Sequence, residues 1–304
     1  MNQINKNPYN RANRAGSFCT PTFDAQSRAS EAIFPLDGCD IATVSNERLI
    51  RLFDNAPKLH QLGCTSVVRL SQTLVMKSGS SVLPSEAKNM NYAAQLGGMR
   101  LPKVYGSFNS SNPTAGISQT RGYIVMDYVK GSCLADLWPN MNLQQRQTVI
   151  TQVAVMIRKM QSTPLDFAGP VGGGMSQGLF FTDWGAGPFE NGRAMEDWFN
   201  HKLHVCKAFK RVPLNAAPFE FSTFVFTHGD ISPRNIILDG QGLVWLIDWQ
   251  NAGSYPPQFE AAVIADQSDF KDFGEMLLKH IEHDEAKVRQ LRSVWYALTT
   301  GAFL

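Results

Sequence analysis

No stretch of this chain approaches the run of about 18 apolar residues that crosses a bilayer, so the sequence offers no membrane span. The first thirty residues, rich in Asn, Ser and Arg, contain no apolar core of the kind a secretory signal needs. Cysteine is sparse and odd in number. Cys19, Cys39, Cys64, Cys133 and Cys206 are too scattered for a disulfide framework or a zinc site and read as reduced thiols. Neither sign of charge is in excess: 28 Lys and Arg face 26 Asp and Glu, and no basic run exceeds the pair Lys210-Arg211, which argues against a nucleic-acid partner. The Gly-rich loop G-x-G-x-x-G is also missing between Gly63 and Lys77. Together these absences point to a cytoplasmic protein, monomeric or weakly dimeric, with no membrane or nucleic-acid partner. Arg11, Arg14 and Arg28, opposed only by Asp24, leave a mitochondrial presequence as the alternative address.

What is present is an ordinary globular composition, 43% hydrophobic and 18% charged over 304 residues, long enough for two lobes. The stretch from Thr227 to Trp249 organises the rest. It reads as two short apolar strands joined by a turn at Asp239-Gly240, with Asp230 and Asn235 on the entering loop and Asp248 where the returning strand ends. A hairpin sets its two ends side by side, so two carboxylates and an amide oxygen converge, a hard-oxygen set suited to Mg²⁺. In phosphoryl transfer an Asp accepts the proton of the attacking hydroxyl. An Asn five residues later and an Asp after the next hairpin hold magnesium. Asp230, Asn235 and Asp248 have that order and spacing.

The motif His228-Gly229-Asp230-x-x-x-x-Asn235, followed by Ile247-Asp248-Trp249, resembles the aminoglycoside phosphotransferase/choline kinase family, small-molecule kinases with a reduced protein-kinase fold. The tail from Asp248 to Pro257 looks most like divergent fungal members, and the likeness runs from about Gly63 to Glu260. The resemblance implies that Asp230 is the catalytic base, that Asn235 and Asp248 hold Mg²⁺, and that His228 braces the loop. It also implies ATP as donor and a hydroxyl of a small molecule as acceptor.

Upstream, Ser45 caps a helix carrying Leu49, Ile50, Leu52 and Phe53, where folded structure is expected to begin after a flexible arm of residues 1–44. A hairpin, Val67–Leu70 and Thr73–Lys77, ends in lysine, and a helix from Pro84 carries Glu86 in its first turn. In the kinase template Lys77 holds the α- and β-phosphates and pairs with that glutamate. A strand from Leu101, a polar loop from Asn109 to Gln119 and a strand from Gly122 follow. The second strand turns polar toward Gly131 and resembles the family's hinge. There the backbone of Asp127, Tyr128 and Val129 would meet the adenine edge.

Beyond lies a helical region. Val149, Val153, Met156, Ile157 and Met160 form a core stripe. The glycine-rich, aromatic segment from Thr163 to Gly192 reads as a candidate substrate lid; the resemblance implies that it lines the acceptor pocket with the helix near Ala194 to Lys210, where Asp183, Glu190, Glu196 and Asp197 would attract a cationic acceptor. An acidic C-terminal stretch from Asp266 to Glu285 would favour amine-bearing substrates in the same way. The pairs His201/His204 and His280/His283 lack a third metal ligand and read as surface or packing residues.

The expected architecture is α+β, a bilobal protein-kinase-like fold: a small antiparallel-sheet N-lobe over residues 45–126 and a mainly helical C-lobe over 127–304. Two other functions are weighed beside a small-molecule kinase. A protein kinase is disfavoured because Gly229 stands where those enzymes carry arginine and no Ala-Pro-Glu follows Asp248. A kinase-shaped binding module without phosphotransfer is the other, since Ser232 and Gln250 depart from the family's frequent His and Glu.

Overall fold

The computed structural model describes residues 32–62, 65–111 and 120–304. Most of the expected arm, Gly63, Cys64 and much of the Asn109–Gln119 loop lie outside them. The chain divides into two compact units, one comprising residues up to Ala87 with Pro102–Val129, the other Lys88–Leu101 with Lys130–Leu304. The expected boundary after Met126 falls close to the second crossing. The earlier crossing, inside a helix, has no signature in sequence: Arg100, beyond that helix, gives its carbonyl to the amide of Leu246, 2.9 Å away.

In the first unit α1 (Asn46–Asn55) is capped by Ser45, whose hydroxyl accepts the Arg48 amide at 3.3 Å. There follow β1 (Lys58–Leu62), β2 (Thr65–Arg69), β3 (Leu74–Gly79), the start of α2 (Pro84–Leu96), which from Lys88 on belongs to the second unit, β4 (Val104–Ser111) and β5 (Thr120–Asp127). The strands form one antiparallel sheet in the order β1-β2-β3-β5-β4. Strand β1 escaped sequence reading because it is an edge strand with no fully buried position to impose alternation.

The register of β3 decides which residues reach which face. Met76 lies opposite Val125, and both join Leu49, Phe53, Val68 and Tyr123 in the cluster that α1 covers. Lys77 lies opposite Ile124, which packs with Val82 and Ala87 at the start of α2. The period of two in a strand therefore turns Lys77 toward α2.

Packing begins earlier than Ser45. Phe34 and Leu36 are buried, the Leu36 amide bonds the Leu70 carbonyl at 2.9 Å, and the Asp37 carboxylate takes the amides of Phe34 and Gln72, both at 2.7 Å. The expected flexible arm is thus too long at its C-terminal end. Isolated apolar residues in a polar segment carry no periodicity, and their partners are distant in sequence. Arg69 completes this corner: its guanidinium lies 3.4 Å from the ring centroid of Tyr128 and 4.7 Å from that of Phe34.

The second unit contains β6 (Gly131–Cys133), α3 (Leu134–Leu137), α4 (Leu143–Met160), β7 (Pro164–Leu165), α5 (Gly192–Ala208), β8 (Phe224–Thr227), β9 (Ile236–Asp239), β10 (Val244–Leu246), β11 (Gly253–Tyr255), α6 (Gln258–Ala265), α7 (Lys271–Leu278), α8 (Glu285–Ser293) and α9 (Trp295–Leu298). Its strands form two three-stranded sheets, β10-β9-β6 and β11-β8-β7. Helix α4 starts in a reciprocal cap between Asn142 and Gln145 and buries Val149, Val153, Met156, Ile157 and Met160.

The segment read as a lid is anchored in the core by its aromatic residues, although many of the residues between them are exposed. Phe180 and Phe181 are buried, and Phe181 touches the rings of Trp198, Phe199, Tyr255 and Phe259. Trp184 is the exposed exception, at 70%. Glycine content suggested mobility here, but the aromatic side chains between the glycines anchor the segment. Among the described residues no helix is long and apolar enough to cross a membrane, and Cys39 and Cys206 are free thiols.

Candidate active site

The β9–β10 hairpin is in the expected place, with Ile236 opposite Leu246 and Leu238 opposite Val244. Its connection is longer than a two-residue Asp-Gly turn. Asp239 organises a loop to Leu243 by accepting the amides of Gln241 and Leu243 and the indole N–H of Trp245, each at 2.9 Å. The left-handed glycine is Gly242, with φ +75°. The carboxylate makes the turn, so the dipeptide pattern misplaced the glycine that matters.

At the other end of the hairpin the sequence-predicted residues meet. The amide nitrogen of Asn235 donates to the Asp230 carbonyl at 2.9 Å, and the backbone carbonyl of Asn235 accepts the Ile247 amide at 3.0 Å. His228 is wholly buried. Its Nδ1 accepts the Asp230 amide at 3.3 Å, which makes Nε2 the protonated nitrogen that donates to the Ile247 carbonyl at 3.1 Å. The imidazole thus ties the Asp230 loop to the residue before Asp248. Asp248 itself is exposed and left-handed, φ 62°, a conformation Asp tolerates better than most residues and one that recurs at functional sites.

Gly229 has a steric reason. Its φ is +76°, and a Cβ there would lie 2.6 Å from the carbonyl oxygen of Asn251. The arginine that protein kinases carry at this point has no room.

Two residues that sequence reading missed hold the same loop. Glu260, buried in α6, accepts the His228 amide at 2.6 Å and the Gly229 amide at 3.2 Å, and the side-chain amide of Gln267 donates to the Ile231 carbonyl. Burial pushes the Glu260 carboxyl up to about 7. The amides of His228 and Gly229 oppose this, and the nearby charge of Asp230 adds to it. The available signal was a lone acid in a helix that is otherwise apolar from Phe259 on, since Phe259, Ala261, Ala262, Val263 and Ile264 are all buried around it.

In the first unit Lys77 and Glu86 form an ion pair at 2.7 Å, with both side chains almost wholly buried. The segment Asp127–Val129 offers fewer donors than its sequence suggested. The amide of Asp127 bonds the Lys103 carbonyl at 3.0 Å, and that of Tyr128 bonds the Thr73 carbonyl at 2.7 Å. The Asp127 carboxylate takes the Lys103 amide and the Tyr105 hydroxyl, and this bond raises the Tyr105 pKa. Of the three, only the Val129 amide finds no acceptor among the described residues.

The acidic residues expected to draw a cationic acceptor are mostly paired within the protein. Glu196 and Asp197 both meet Arg193 at 3.0 Å. Asp266, Asp269, Asp272, Glu275 and Glu285 pair with Arg292, Arg234, Arg146, Lys271 and Arg289. Local composition showed the acids, but their partners come from distant segments or adjacent helical turns.

The donor set at the hairpin fits a hard divalent cation. With its nitrogen committed to Asp230, Asn235 presents its side-chain oxygen, and the exposed Asp248 adds a carboxylate. Among the described residues no group of three or more His, Cys, Asp or Glu is arranged to hold a metal, the two histidine pairs included.

Comparison with known proteins agrees with this architecture. The streptomycin–ATP ternary complex of APH(2")-IIa matches with a TM-score of 0.53 at 16% identity, over 84% of this chain and 92% of that one. A thermostable mutant of aminoglycoside phosphotransferase APH(4)-Ia in its apo form gives 0.54 at 15% identity, over 85% and 93%. The GDP complex of wild-type aminoglycoside 2'-phosphotransferase-IIIa gives 0.52 at 11%, over 78% and 81%. No curated protein sequence matches the chain. The fold is the α+β, bilobal, protein-kinase-like one, with a small antiparallel-sheet lobe and a mainly helical lobe. The model of the APH phosphotransferase enzyme family matches residues 66–295, well over half of the sequence, and the chain belongs to that family.

Proposed function

We propose that the protein transfers the γ-phosphoryl group of ATP to a hydroxyl of a small molecule. The observation that carries this reading is the hairpin constellation in a chain of this family: Asp230, Asn235 and the residue before Asp248 are bonded to one another through Asn235 and His228. Asp230 orients the acceptor hydroxyl and takes its proton as that oxygen bonds to the γ-phosphorus. The bond to the bridging oxygen breaks, and ADP leaves with the electron pair. Lys77, held by Glu86, binds the α- and β-phosphates, and the Val129 amide donates to the adenine edge. Asn235 and Asp248 hold Mg²⁺, which offsets charge on the phosphates when bound. Most of the acids on these segments are already paired within the protein, so the acceptors to be tried include neutral polyols beside aminoglycosides and choline-like amines.

The test is Mg²⁺-dependent nucleotide turnover with ATP and GTP, wild type beside Asp230→Ala and Asp248→Ala. A panel of hydroxylated amines, sugars and metabolites is screened for a mass gain of one phosphoryl group. A product made by the wild type and lost in both variants supports the reading. A wild type that binds no nucleotide in the presence of Mg²⁺ overturns it.

A further inference from the structure

Asn89 lies on α2 and belongs to no motif, yet its side chain is fully buried and bonded on every side. Its amide nitrogen donates to the carbonyl of Trp249 at 3.2 Å and to that of Ala252 at 2.7 Å, while its oxygen accepts the amide of Val171 at 2.9 Å. Both donors and one lone pair are satisfied by backbone from two other segments, and all of these residues belong to the second unit.

The segment that Asn89 grips starts one residue after Asp248. Asp248 has a left-handed backbone, which costs on the order of 1–2 kcal/mol and persists only where neighbours over-determine it. On its N-terminal side Ile247 is held by Asn235 and His228. On its C-terminal side the Trp249 ring packs between Phe226 and His228, with its indole N–H on the Leu246 carbonyl. The ring fixes where Trp249 sits but leaves its peptide plane free to rotate. That plane is set by what its carbonyl accepts: the Ala252 amide at 3.2 Å and the side chain of Asn89.

We infer that Asn89 is a positioning residue for Asp248, fixing the direction of the Mg²⁺-binding carboxylate by clamping the Trp249–Gln250 peptide, one link beyond it. The inference rests on the magnesium role proposed for Asp248. A carboxylate in place of the amide keeps the Val171 bond but turns two attractive contacts with carbonyls into repulsive ones. Asn89→Asp is therefore the informative change, and Asn89→Leu, uncharged and of similar size, is the second variant in case the charge prevents folding.

Two readouts separate positioning from general weakening. First, binding of a fluorescent ATP analogue is titrated with Mg²⁺. Outer partners of metal ligands are commonly worth 10–100-fold in metal affinity, so the Mg²⁺ for half-saturation should rise at least 10-fold, with Mg²⁺-free nucleotide affinity unchanged. Second, hydrogen exchange on the metal-free protein should speed up at the amides of 250–253 while α4 stays protected. If the wild type responds to Mg²⁺ and a folded Asn89 variant responds identically, the inference is overturned and the kinase reading stands. If the wild type shows no Mg²⁺-coupled binding, the metal role of Asp248 falls and this inference falls with it.

Discussion

Glu260 makes a prediction that needs no knowledge of the acceptor. Its carboxyl is pushed from 4.5 to about 7 chiefly by burial. In the unfolded chain the group titrates near its ordinary value, so between these two pH values the folded protein binds more protons than the unfolded one. Stability linked to this group is fully present below the unfolded pKa and is lost as pH rises through about 7. At about 1.4 kcal/mol per pH unit, the gap corresponds to roughly 3 kcal/mol. Glu260→Gln is close in shape to the neutral acid, keeps an oxygen for the His228 and Gly229 amides, and cannot titrate. The measurement is urea unfolding followed by tryptophan fluorescence at pH 5, 6, 7 and 8, wild type beside variant. Groups common to both cancel in the difference, so the stability of the variant relative to wild type should climb by about 2–3 kcal/mol from pH 5 to pH 8. A difference that stays flat refutes the raised pKa. A difference that falls with pH means that the backbone N–H groups outweigh burial.

Three further outcomes are expected. Glu86→Leu takes the bonded carboxylate away from a buried lysine and should cost about 3–5 kcal/mol in urea unfolding, whereas Lys77→Met with Glu86→Leu should recover most of that loss; equal losses would show the pair to be solvated. Phe34→Ala should destabilise the protein by about 3 kcal/mol, since the ring is buried beside Arg69, and a change under ~0.5 kcal/mol would mean that this strap is not folded in solution. Asp239→Ala removes three hydrogen bonds from an exposed hairpin loop and should lower the unfolding midpoint by a few degrees without altering nucleotide affinity.

The β9–β10 hairpin was legible because its signals are local: strand alternation, an acid at each end and fixed spacing all fall within Thr227–Trp249. Lys77 and Glu86 were legible for the same reason, nine residues apart on a strand and the helix that follows. The supports were not. Asn89 acts 160 residues from Trp249, and Glu260 acts 32 residues from His228, and nothing in either one's neighbourhood names the partner. The Thr163–Gly192 segment misled in the opposite direction, because glycine content reports what a backbone can do, while Phe180 and Phe181 decide what it does. Composition also exaggerated the acidic surface, since Arg193 and the bases of the C-terminal helices answer it within the fold.

The close approach of Gly229 to Asn251 bears on the routes open to descendants of this sequence. Enzymes governed by phosphorylation of a loop rely on a cation beside the base to sense the added phosphate. Here a single codon change to arginine would place its Cβ against a carbonyl oxygen and force an unfavourable backbone twist, so the first step toward that control is also a step toward misfolding. The backbone around Asn251 would have to move first. Descendants of this sequence can therefore gain an arginine at this point only after the segment that follows Asp248 is rebuilt.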